Sequence, residues 1–359
     1  MSIKKKLIKT KKKLKSLKQR SLKQRSFKYR PNNKITKKIG SGIEPHADKK
    51  DIKNFFVNSN LLNNDVVSVI NNFVPPLLNN ENIRQVIKDY LSDNKNLKQQ
   101  VIKKYGPINK WDVSRVTNMS RLFKGAISFD DDISEWNVSN VRDMSHMFQD
   151  AHRFNQSLNN WNVSNVIYMT GMFMNAKEFD QPLKWNVSNV INMSFMFYNA
   201  IKFNQPLNKW NVSKVKNMNH MFQFAEKFNQ PLNKWNVSKV KNMGSMFCWA
   251  KAFDQPLNNW NVSNVELMNK MFNHAKSFNQ PINNWNVSNV KNMKAMFTDA
   301  TQFNQPLNDW DVSNVISMGL MFTNAKSFNI QENAPWYFEH PLYIENKLES
   351  NDESDEEDY

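Results

Sequence analysis

Trp285-Asn-Val-Ser-Asn-Val-Lys-Asn-Met-Lys-Ala-Met-Phe-Thr-Asp-Ala-Thr-Gln-Phe-Asn-Gln-Pro-Leu-Asn-Asp309 decides how the chain is read, because Trp310 begins nearly the same line again. The line is written nine times, with indoles at Trp111, Trp136, Trp161, Trp185, Trp210, Trp235, Trp260, Trp285 and Trp310. Each step is 25 residues except Trp161 to Trp185, which is 24. A fixed period of this size is the signature of a stacked repeat architecture, in which no unit buries its apolar face alone.

With Trp as position zero, large apolar residues recur at +2, +5, +8, +11, +12, +18 and +22, with Ala at +15. In the quoted copy these include Met293, Met296, Phe297, Ala300 and Phe303. Positions +5, +8, +12 and +15 have three-and-four spacing, which predicts one helical face, with Ser288 at +3 placed to cap it. Leu, Trp and Val predict a short strand. The expected fold class is therefore an α/β solenoid, a leucine-rich-repeat-like stack of about nine coils, each a short parallel strand plus a helix. Asn or Asp at +19, from Asn155 to Asn304, predicts a ladder of side-chain bonds between coils. The one-residue deletion before Trp185 predicts a local kink.

Charge divides the rest of the chain. Residues 1–40 hold 17 Lys and Arg and no acid, and the remaining basic residues balance the 32 acidic ones, so the net +17 belongs to one arm. Such a block cannot bury enough apolar surface to order itself, which predicts a disordered basic arm over 1–50. Ile83, Val86, Ile87 and Leu91 fall at helical spacing and a second helix is expected over 97–104, which makes 51–110 a helical N-terminal cap. The repeats occupy 111–330. Pro335-Trp-Tyr-Phe supplies a C-terminal cap over 331–346, and 347–359 reads as an acidic disordered tail. Cys248 is the sole cysteine, so no internal disulfide forms; it is expected to face away from the stack and to be inert. No apolar run reaches the 18 residues of a membrane span, and no apolar core with a cleavage site follows the N-terminus. The expectation is a soluble intracellular protein, not a secreted one, with a nuclear or nucleic-acid-associated location open through the arm.

The pattern Trp-Asn/Asp-Val-Ser-Asn-Val-x-x-Met-x-x-Met-Phe-x-x-Ala-x-x-Phe-Asn-Gln-x-Leu resembles the 25-residue repeat of the BspA-like leucine-rich repeat family. That family includes bacterial surface proteins and lipoproteins, among them those of wall-less bacteria, and proteins of large DNA viruses and protists. The resemblance covers 111 to about 330 and implies a curved leucine-rich-repeat-like solenoid used for binding. The Asn- and Lys-rich composition is compatible with an AT-rich, large-virus source.

No Ser-His-Asp order, phosphate loop or cysteine cluster stands out, so no catalytic, cofactor-binding or metal-ligating residue is expected and the chain reads as non-enzymatic. The seven Trp-Asn-Val-Ser sequons, Asn137 to Asn286, read as by-products of the repeat. Lys209, Lys214 and Lys216 recur one repeat later as Lys234, Lys239 and Lys241, and stacking would pair them into a basic binding patch; recent duplication of solvated lysines explains them equally well. The leading expectation is a protein-interaction scaffold localised by its arm. The alternatives are a nucleic-acid-associated protein binding through 1–40 and a surface adhesin like the bacterial members.

Overall fold

The computed structural model describes residues 77–341, all within the unit Pro75–Tyr359. The basic arm, the first part of the 51–110 cap, the end of the 331–346 cap and the acidic tail lie outside the described residues.

Ile83, Val86, Ile87 and Tyr90 make the buried stripe of α1 (Ile83–Tyr90). Asn94 starts α2 (Lys95–Tyr105), its side-chain oxygen accepting from the N–H groups of Asn96 and Leu97 at 3.0 and 3.4 Å, as an N-cap should. Gly106, at φ +82°, stops α2. A 3-10 turn over Ile108–Lys110 then delivers Trp111. Its indole N–H donates to the Gly106 carbonyl at 3.0 Å, and the edge of Tyr90 meets its ring at 5.4 Å. The cap is thus fastened to the first repeat through that repeat's Trp.

Neither regular element expected inside a repeat is formed. No helix lies between Trp111 and Phe328, and the Leu-Trp-Val segment makes no strand. Instead, N–H groups alternate in destination. Those at +8, +10, +12 and +14 donate to the carbonyls at +7, +9, +11 and +13 of the following repeat, as Met218, His220, Phe222 and Phe224 do to Asn242, Gly244, Met246 and Cys248. Those at +11, +13 and +15 close turns on the carbonyls three residues back. One parallel bridge per repeat, at +7, runs from Asn118↔Asp143 to Asn292↔Ser317. The turns require positive φ at +10 and +14 in all nine repeats. Only Gly125 and Gly171 meet that requirement with glycine. The other sixteen residues adopt the left-handed region; five are Asn or Asp, which tolerate it, and the remaining eleven, Phe195, Ala295 and Leu320 among them, do so at about 1–2 kcal/mol each. The three-and-four spacing is real, but it is the spacing of inward side chains on successive turns. The Ser at +3 is likewise not a helix cap: its own N–H donates to the Asn or Asp at +1, as Ser288 does to Asn286 at 3.1 Å.

Side chains lock the same register. From the second repeat on, each indole N–H reaches the carbonyl three residues before the preceding repeat's Trp, as Trp235 does to Leu207 at 2.9 Å; Trp210 reaches Leu183, two before Trp185, at 3.0 Å because the deletion lies between them. Within a repeat, the Phe rings at +12 and +18 stack at about 4 Å, as in Phe222–Phe228, and Phe222 lies 5.7 Å from Phe247 of the next. The ladder at +19 is formed: the N–H of Asn204, Asn229, Asp254 and Asn279 each donate to the residue 24 or 25 before, at 2.9–3.0 Å. Gln at +20 adds a second bond to the same oxygen. The missing residue before Trp185 makes no kink in the indole column. Trp161 and Trp185 stack at 6.5 Å and 5°, against 6.5 Å and 7° for the next pair, Trp185–Trp210. The deletion falls in the turn that Lys184 alone spans, where its N–H donates to Asn159.

Short helices α3 (Ile330–Asn333) and α4 (Trp336–Glu339) end the described chain. Trp336 takes the place of a tenth repeat Trp, stacking on Trp310 at 6.5 Å and donating to the Leu307 carbonyl at 2.8 Å.

The backbone strain at +10 makes a two-sided stability test. Lys270→Gly, at an exposed residue with φ +56°, is expected to raise stability by about 1 kcal/mol. Gly171→Ala is expected to lower it, since a Cβ there would meet His146 Nδ1 at 2.6 Å. Urea unfolding of both variants checks the signs.

Candidate functional site

The repeat-core residues singled out by the sequence are all interior. The nine Trp, Met293, Met296, Phe297, Ala300 and Phe303 are buried, each filling a column that runs from repeat to repeat, and none is accessible to a ligand.

The six lysines are exposed. Lys216 and Lys241 sit in adjacent register at +6, the N–H of Lys241 donating to the Lys216 carbonyl at 2.9 Å. Position +4 is more informative. There Asn normally donates its amide to the Ser carbonyl of the preceding repeat, as Asn189 does to Ser164 at 2.8 Å and Asn264 to Ser238 at 2.7 Å. Lys214 and Lys239 replace that Asn in two successive repeats and forgo the bond; Lys214 Nζ instead donates to Asn189 Oδ1 at 2.7 Å. The patch is partly neutralised at one edge, where Lys241 pairs with Glu266 at 3.0 Å. The hydrogen bond and charge of Lys241 hold the Glu266 carboxyl below its usual range.

The acidic residues of the opening repeats are engaged in structure. Asp131 accepts from Tyr90 Oη at 2.9 Å, Asp130 from the Asn155 N–H at 2.8 Å, and Glu135 pairs with Lys110. Hydrogen bonds from Ser134 lower the Asp132 pKa.

What the sequence reading missed is an aromatic column on the turn face. Positions +10, +13 and +14 in repeats four to seven carry Phe195, Tyr198, His220, Phe224, Trp249 and His274, all half-buried. His220 stacks on Phe195 at 4.4 Å, Tyr198 meets Phe224 edge-on at 5.5 Å, and Phe224, Trp249 and His274 follow at 5.9 and 3.9 Å. Lys251 Nζ lies 5.6 Å from the Trp249 ring and pairs with Glu226 at 2.8 Å, while His274 Nε2 lies 3.2 Å from Asp299. One signal was available: Trp249 breaks the Trp phase, and of the chain's 11 Trp only it and Trp336 do so.

Cys248, at +13 in the same region, does not face away. It is buried between Gln223 and Asn273, donating to Asn273 Oδ1 at 3.4 Å, and burial pushes its thiol up to about 12. Such a thiol supplies no thiolate near neutrality. The folded chain at pH 8 is therefore expected to leave its one thiol unreacted with a disulfide reagent and to release one equivalent on unfolding. Stoichiometric reaction of the folded chain would contradict this burial.

Among the described residues, no three His, Cys, Asp or Glu side chains converge as a metal site would require, and no helix is long and apolar enough to cross a membrane. The family described as "Mycoplasma protein of unknown function, DUF285" matches residues 85–184, 183–275 and 255–356. No curated protein and no solved structure matches the chain.

Proposed function

We propose, from the premise that the chain belongs to the DUF285 family of Mycoplasma proteins of unknown function, that it is a non-enzymatic protein-interaction scaffold. In this reading its repeats build a leucine-rich-repeat-like solenoid of the BspA-like kind. The unbroken ladder of parallel bridges from Asn118 to Ser317 supports the architecture. The aromatic column carries the functional reading. Every inward position of the repeat is fixed by packing, whereas +10, +13 and +14 vary freely from copy to copy. Four consecutive repeats place aromatic rings there, at a cost in left-handed backbone that glycine would have avoided.

The chemistry of that column favours a polypeptide partner. Its ring faces are already stacked on one another at 3.9–5.9 Å, so they offer no open faces between which bases could insert. Tyr198 and Trp249 are each half-buried in that column. Tyr and Trp in that setting are the residues that dominate protein interfaces. Lys214, Lys216, Lys239 and Lys241, on the same repeats, add steering toward an acidic partner.

A nucleic-acid role through residues 1–40 and a surface-adhesin role are the competing readings. Affinity purification from the native cell separates the first from the scaffold. The expected result is a protein whose recovery is lost with Tyr198→Ser/Phe224→Ser/Trp249→Ser, at unchanged far-UV circular dichroism, and kept after deletion of 1–40. Recovery of nucleic acid that disappears with the 1–40 deletion and ignores the triple substitution would overturn the scaffold reading.

A further inference from the structure

A cleft lies between α1 and the first repeat. It encloses about 600 Å³, within the range that takes a small organic ligand. Its floor is apolar: Leu91, Leu122, Ile127 and Phe129 line it. Ile127 is 57% exposed there. Its walls are cationic, with Arg84, Lys88, Arg121 and Lys124 against the single carboxylate of Asp93. None of these four cations is in an ion pair among the described residues.

One of the cations is held in place. Arg84 donates through Nη1 to the Ser120 carbonyl at 2.6 Å, and through Nη2 to Asn118 Oδ1 at 2.9 Å and Ser120 Oγ at 3.3 Å. Those bonds are neutral at the acceptor end, so the guanidinium charge is fixed beside the cleft without being cancelled. The neighbouring His146 feels the same field: its pKa lies below the ordinary value, first through burial and then through Arg121 and Lys124.

We infer that this cleft is a binding site for a small amphipathic anion of the medium-chain carboxylate class. The chain of the ligand would lie on Leu91, Leu122, Ile127 and Phe129, and its carboxylate would sit among Lys88, Arg121 and Lys124 beside the fixed Arg84. Apolar floor and cationic wall are each needed. A floor alone would take a neutral hydrocarbon chain, and a wall alone would take any small anion with the weak, salt-screened affinity of exposed charges.

Isothermal titration of the full chain with decanoate, decanol and acetate tests the inference at fixed ionic strength. Decanoate is expected to bind saturably, and decanol and acetate at least about tenfold more weakly. Lys88→Gln/Arg121→Gln/Lys124→Gln is expected to weaken decanoate by about tenfold or more with unchanged thermal unfolding, and Ile127→Asp to weaken it independently of the wall. Equal binding of decanol and decanoate, decanoate binding that survives the triple substitution, or no decanoate binding at all would each overturn it.

Discussion

Each repeat leaves four backbone N–H groups, at +8, +10, +12 and +14, that only the next repeat can satisfy. A backbone donor buried without a partner costs about as much as a lost hydrogen bond, so this constraint fixes nearly everything else. It sets the register between neighbours, since the four donors and four acceptors align in one way only. It forces the left-handed residues at +10 and +14, because the chain must turn sharply enough to present alternate amides outward along the stack. It also explains the ends. Arg84 reaches the Ser120 carbonyl at the first repeat, and Trp336 covers the last indole, while Met318, Leu320, Phe322 and Asn324 find no further acceptor among the described residues.

The side-chain columns convert that register into stability. Trp indoles, paired Phe rings and the +19 amides each bond or stack to the same element one repeat away. Stability in such an array is close to a sum of repeat and nearest-neighbour terms. The columns also partition the surface. Inward positions repeat because each must match its neighbour's shape, and outward positions are free. Deviation from the repeat is therefore where the chain says something specific: the lysines that replace Asn at +4, the aromatic rings at +10, +13 and +14, and the cleft where the first repeat meets α1.

The period, the core residues and the +19 ladder were legible in the sequence because they follow from side-chain chemistry at fixed spacing. The two cap helices were legible for the same reason, with Ile83, Val86 and Ile87 on one stripe. The path from +8 to +15 was not. Inward residues three and four apart match a helix, and the left-handed residues oppose that reading unevenly: at +14 Gly125, Asp150, Asn175, Asn199, Asp299 and Asn324 are ordinary turn residues, whereas at +10 Phe195, Ala295 and Leu320 carry no sign of a left-handed turn. The deletion before Trp185 promised a kink because the sequence does not show which turn can lose a residue harmlessly. The aromatic column was hidden for a related reason. Phe195, Tyr198, Phe224 and Trp249 are scattered in the linear chain, and only the true path of the coil brings +10, +13 and +14 onto one face.

Native-state amide hydrogen exchange, resolved by residue, tests the alternating ladder most directly. In the interior repeats, the amides at +8, +10, +12 and +14, such as Met218, His220, Phe222 and Phe224, are expected to be strongly protected through their bonds to the next repeat. The same positions of the last repeat, Met318, Leu320, Phe322 and Asn324, are expected to exchange faster than their interior counterparts. Uniform protection across +5 to +15, as a helix would give, or equal protection of the last repeat and the interior, would contradict the account.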